Sequence, residues 1–117
     1  MTQTVQIGPE GTATVILNGS GAGTARAGPI SARETWQPAV ASVSVATNTS
    51  EAQCKIYIGD SVSPANFIDG TLSGSTGDST GNVAGSQVPL GYYIWAVWSG
   101  GDAGQVATLN VSGAKTI

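Results

Sequence analysis

No histidine occurs anywhere in this chain. That removes the side chain that most often serves as general base, as metal ligand and as a switch near neutral pH. Charge is scarce as well: Asp, Glu, Lys and Arg make up 9% of the residues, against roughly 25% in an ordinary soluble domain. The four cations, Arg26, Arg33, Lys55 and Lys115, are scattered, and the net charge is −3. Nucleic-acid binders neutralise phosphates with clustered Lys and Arg, and anionic membrane surfaces attract the same clusters. Neither partner is expected here. The single cysteine, Cys54, has no second thiol to pair with, and its place in an alternating apolar run reads as a buried thiol, not a reactive one. No segment approaches the ~20 apolar residues of a membrane span. Met1 to Ile7 carries neither the basic region nor the apolar stretch of a signal peptide, so synthesis in the cytoplasm without entry into the Sec pathway is expected.

The same absences thin out the catalytic readings. Serine and threonine are plentiful, but no histidine is present to activate them. No Gly-rich segment ends in the Lys-Ser/Thr of a phosphate loop. A pair of carboxylates, as a glycosidase needs, carries no information in a β fold with seven acids. Asp60, Asp69 and Asp78 recur in one polar segment, but without the D-x-D-x-D-G spacing of a calcium loop, so turn chemistry is the better reading. No enzyme activity, cofactor or metal is expected.

What is present is a rhythm. Apolar residues reach 40%, enough for a core in a chain of 117 residues, which is near the commonest size of one domain. The 17 Gly and 5 Pro break the chain at short intervals, and short runs rich in Val, Ile, Thr, Tyr and Trp lie between them. No window holds a 3.6-residue apolar period, so no substantial helix is expected. The pattern predicts a single antiparallel β-sandwich over 1–117, Ig-like or jelly-roll-like, of seven to nine short strands.

Strands are expected at Thr2–Ile7, Thr12–Leu17, Thr24–Ala27, Arg33–Trp36, Ala39–Thr47, Ala52–Ile58, Tyr92–Trp98 and Gln105–Ser112. Pro38 demotes the strand around it to an edge or a strand start. Alternation places Ala41, Val43 and Val45, Cys54, Ile56 and Ile58, and Ala107, Leu109 and Val111 inward. Ala39–Thr47 and Ala52–Ile58 read as a hairpin turned by Asn48–Glu51, and Ser99–Gly104 as a second hairpin turn. A long polar loop at about 59–87 is expected to hold short strands near Asn66–Leu72 and Asn82–Ala84, with a surface tip at 73–81.

Tyr92–Trp98 is apolar on both faces. Such a strand is either central or covered on its outer side by a partner. Tyr93 and Trp95 are candidates for the core. Trp36, Tyr57, Tyr92 and Trp98 are the candidate residues for an inter-subunit contact or for stacking on a ligand such as a surface glycan.

One stretch, Ala25 to Gly113, carries a resemblance. Its elements are Ala27-Gly28-Pro29, Arg33-Glu34-Thr35-Trp36-Gln37-Pro38, Glu51 to Gly59, Phe67-Ile68-Asp69-Gly70-Thr71, Gly74 to Ser79, and Trp95-Ala96-Val97-Trp98-Ser99-Gly100-Gly101-Asp102. They resemble small β-rich virion structural proteins, capsid decoration or minor tail proteins, of tailed bacteriophages of actinobacteria. The resemblance implies a β-sandwich on the virion exterior, in many copies. The partners it implies are other virion proteins of the capsid or tail and copies of itself. It transfers no binding residues. A carbohydrate-binding or adhesion module is the rival reading.

Overall fold

The computed structural model describes residues 3–46, 52–72 and 77–117. They form two antiparallel sheets packed as a sandwich. The strands are β1 (Thr4–Gln6), β2 (Thr12–Ile16), β3 (Gly23–Ala27), β4 (Thr35–Val45), β5 (Gln53–Gly59), β6 (Phe67–Leu72), β7 (Ser79–Thr80), β8 (Val88–Pro89), β9 (Tyr93–Ser99) and β10 (Val106–Thr116). Two single 3-10 turns, Pro9–Gly11 and Pro64–Asn66, are the helical content among the described residues.

The strand count exceeds the expected seven to nine because two lanes are interrupted. β1 and β2 both pair with β10, at its two ends. β7 and β8 both pair with β4 in the same way. Each sheet is therefore four lanes wide: β1/β2–β10–β4–β7/β8 in one, β3–β9–β5–β6 in the other.

The inward faces follow the alternation in the sequence. Ala41, Val43, Val45, Ala107, Leu109 and Val111 from the first sheet meet Cys54, Ile56, Ile94, Ala96 and Trp98 from the second in one core. Ile58 is partly buried against it. Burial pushes the Cys54 thiol up to about 12, against a weaker downward pull from the Val97 backbone, so it stays protonated and inert.

The pairing of those strands differs from expectation. β4 and β5 are not a hairpin: β4 lies beside β10, whereas β5 lies between β9 and β6. The chain crosses from one sheet to the other between them, through a connection that includes 47–51, outside the described residues. β2 to β3 and β9 to β10 are also inter-sheet crossings, not hairpins. A period of two says which side of a strand is buried. A hairpin and a crossing satisfy that pattern equally well.

Two other details differ from expectation for local reasons. Pro38 neither starts a strand nor lies on an edge strand; it sits within β4, opposite Gly113, where the register shifts. The neighbouring lane pairs with β4 only at Thr35–Trp36 and Ala41–Ser42, so Pro38 falls in the gap and its missing N–H deprives no neighbour. In the polar segment, β6 matches the expected Asn66–Leu72, but the second short strand is Ser79–Thr80, and 82–84 forms a turn. Of the expected tip, 73–76 lies outside the described residues.

One ion cluster ties the N-terminal 3-10 turn to β10. Lys115 Nζ lies 2.9 Å from Glu10 Oε1 and 3.3 Å from Glu34 Oε1. Glu34 also accepts a bond from Trp36 Nε1 at 3.3 Å. The Gly8 N–H and then Lys115 hold the Glu10 carboxyl at about 2, below its ordinary 4.5. Glu10, and secondarily Glu34, raise the Lys115 amine. Glu10 thus contributes stability above about pH 4.5 that is lost as the pH falls through about 2. Lys115 contributes stability below pH 10.5 that is lost as the pH rises through its raised value. Acid unfolding of the wild type is therefore expected to be steeper between about pH 4.5 and 2 than that of Glu10→Gln. Urea midpoints measured across that range check this, and parallel curves would contradict it.

Candidate binding surfaces

The strands place the aromatic residues in three environments. Trp36, on β4, and Trp98, on β9, are fully buried. They fill the core and present no face to a partner, which corrects their assignment as contact residues. The correction follows from strand parity and register. Trp98 shares the inward side of β9 with Ile94 and Ala96, whereas Trp36, out of parity with Ala41, Val43 and Val45, is brought to the inward side of β4 by the register shift between Pro38 and Val40. Tyr93 and Trp95 take the opposite side of β9. They are half-buried and lie on the outer surface, not in the core.

That outer surface carries a row of side chains straight across the sheet. Arg26 on β3 pairs with Trp95 on β9, Trp95 with Tyr57 on β5, and Tyr57 with Phe67 on β6. The Arg26 guanidinium sits 4.2 Å from the centre of the Tyr93 ring and 5.3 Å from that of Trp95. A cation over an aromatic face at an exposed site is worth about 0.5–1 kcal/mol. Tyr93 and Trp95 meet edge to face at 5.5 Å, and Tyr57 and Phe67 at 5.6 Å. Trp95 Nε1 donates to the Gly59 carbonyl at 3.0 Å, which holds the indole plane. Tyr57 thus lies on a half-exposed aromatic surface.

Tyr92 lies elsewhere. It is in the turn before β9 and is 46% exposed. This turn belongs to the end of the sandwich where β3 and β5 finish and β4, β6 and β9 begin. Ile30, in the β3–β4 connection, is 81% exposed, and Leu90, between β8 and β9, is 47% exposed. Val62 and Ile117 are exposed at the same end. Gly28 packs against this turn so closely that a Cβ there would stand 2.6 Å from the Tyr92 carbonyl oxygen. Single exposed apolar residues are ordinary; here the topology brings several of them to one end of the domain. Ile30 and Leu90 carry no signal in the sequence because each stands alone among turn residues. Only the fold brings their connections to one end.

The acids of the polar segment make local bonds. Asp60 accepts from the Ser61 hydroxyl, and Asp69 accepts from the Gly70 N–H and from Asn82 Nδ2. Among the described residues no group of three or more Cys, Asp or Glu is arranged to hold a metal ion.

No family model, curated protein or solved structure matches the chain.

Proposed function

We propose that this chain is a non-enzymatic accessory structural protein of a tailed-phage virion that docks on the particle exterior, as a capsid decoration or minor tail protein, through the apolar end of its sandwich. The observation that carries the reading is the gathering of Ile30, Leu90 and Tyr92, all well exposed, at one end. Apolar and aromatic anchors of this kind supply most of the free energy of protein interfaces. The low charge of the chain supports the same reading, since it leaves little electrostatic repulsion between neighbours. The setting comes from the resemblance of Ala25–Gly113 to virion proteins, together with a sequence that offers no catalytic machinery.

The site differs from the one the sequence favoured. The anchor is not one face of the aromatic strand: Trp98 belongs to the core, and Tyr93 and Trp95 on the other side are half-buried. It is the turn before that strand, with two aliphatic residues from neighbouring connections.

Ile30→Asp combined with Leu90→Asp places two charges in the contact and leaves the core untouched. This variant is expected to reduce the amount of the chain on purified particles at least tenfold, as loss of a hot spot worth about 2 kcal/mol would. Quantitative mass spectrometry of purified particles checks it, with wild-type and variant chains supplied at equal levels. Equal incorporation would contradict the reading.

A further inference from the structure

A shallow open hollow of about 360 Å³ lies on the outer face of the four-stranded sheet, lined by Lys55, Tyr57, Pro64 and Phe67. It uses none of the residues of the docking end, so a role for it is independent of the docking proposal. Its walls are built by local sequence. Pro64 opens the 3-10 turn that leads into β6. The Phe67 ring lies over Gly70, where a Cβ would stand 2.8 Å from the Phe67 Cζ and 3.7 Å from the Lys55 Cγ. Glycine at this point lets the ring lie down beside the lysine stem. Tyr57 meets the same ring edge-on at 5.6 Å.

The charge at this place is opposite to that of the molecule. The chain carries −3 overall, yet the strands of this face bring Lys55 and Arg26 outward. Asp69, the acid of β6, shares the register of inward-facing Ile56 and bonds Asn82, so it does not oppose them. Among the described residues no carboxylate pairs with Lys55. The hollow thus offers two apolar ring surfaces and one exposed ammonium, at a volume near the lower end of small-ligand sites, roughly 300–1,000 Å³. A matching ligand needs a ring with an apolar face and a carboxylate on the same unit.

We propose that this hollow binds a uronic-acid unit of an acidic polysaccharide, with the C–H face of the sugar ring against Tyr57 and Phe67 and its carboxylate on Lys55.

Trigalacturonate is the probe, titrated into the isotopically labelled full chain and followed by amide shifts. Saturable shifts confined to β5, β6 and the 60–66 segment are expected. Lys55→Gln should weaken binding about tenfold, the loss of one charge-assisted hydrogen bond. Phe67→Ala should weaken it by a similar factor, and added salt should weaken it further. Maltotriose, with similar rings and no carboxylate, should bind at least tenfold more weakly. Arg33→Gln, which removes a cation from a different connection, should leave affinity unchanged. The amide spectrum of each variant establishes that it is folded. The proposal is overturned by an absence of shifts, by equal binding of maltotriose, by unchanged affinity in Lys55→Gln, or by a hexaproline peptide that binds the same amides as tightly. Particle incorporation of the Ile30 and Leu90 variant is read separately, so the two proposals fail independently.

Discussion

Gly21→Ala is expected to cost about 3 kcal/mol or more and to lower the melting temperature by roughly 10 °C. Gly21 lies in the connection from β2 to β3, and Gly101 in the connection from β9 to β10. Both connections cross between the sheets at the end opposite the apolar one, and they lock together there. The Gly101 N–H donates to the Gly21 carbonyl at 3.0 Å. Gly21 has φ +72°, and a Cβ on it would overlap the Gly101 carbonyl, standing 2.6 Å from its carbon and 2.7 Å from the Gly101 nitrogen. The obstacle is backbone, which no rotamer change can move aside. The substitution therefore combines left-handed strain with separation of the two crossings. Two controls isolate the terms. Gly104 has φ +80° and open space around it, so Gly104→Ala carries the strain alone, about 1–2 kcal/mol. Gly19 has open space and no positive φ, so Gly19→Ala is expected to be close to neutral. Thermal unfolding of the three variants checks the order, and equal effects at Gly21 and Gly104 would refute the lock.

Trp36→Ala is expected to destabilise by about 3–5 kcal/mol, as deletion of a fully buried tryptophan generally does. Trp36 has none of its surface exposed and lies between Lys115 of β10 and Val88 of β8 in the sheet register. The finer expectation separates it from Trp98, which is equally buried. Trp36 Nε1 has Glu34 as acceptor, whereas Trp98 Nε1 is buried with no partner among the described residues. A buried donor left unpaired costs about 1–3 kcal/mol. Replacing Trp98 by Phe removes that cost along with some packing volume, whereas Trp36→Phe loses volume and leaves Glu34 one donor short. Trp98→Phe should therefore be the milder of the two by about 1 kcal/mol or more. Urea titration of both variants measures the difference, and the reverse order would contradict the unpaired donor as its cause.

Gly21 and Trp36 mark the two sides of what is legible in the sequence. Face assignments are legible wherever a strand alternates cleanly. Ala41, Val43 and Val45 face the core, as do Cys54 and Ile56, while Gln53 and Lys55 face out. The architecture follows from those runs and from the Gly and Pro between them. Lateral neighbours are not legible. The chain around Gly21, around Gly101 and between β4 and β5 looks like ordinary turn sequence, and nothing local distinguishes a hairpin from a crossing. The aromatic strand is ambiguous for a different reason. With Tyr93, Trp95 and Val97 on one side and Ile94, Ala96 and Trp98 on the other, hydrophobicity alone does not choose the inner face. Packing chose the side with the small Ala96 between Ile94 and Trp98, and left Tyr93 and Trp95 to Arg26.

The exposure of the candidate contact residues is partly legible. Tyr57 and Tyr92 stand where a partner or ligand can reach them, and Trp36 and Trp98 do not. The hollow depends on Gly70, Pro64 and Phe67, which are brought beside Lys55 by the irregular β5–β6 pairing. Irregular register leaves no periodic mark in a sequence.

A reconstruction of the virion is the most direct test of the apolar end of the sandwich as the docking end of a virion protein. Density for the two-sheet domain is expected on the particle exterior, with Ile30, Leu90 and Tyr92 buried against a capsid or tail protein. Particles that lack the chain, or a chain bound with those three residues facing solvent, would contradict it.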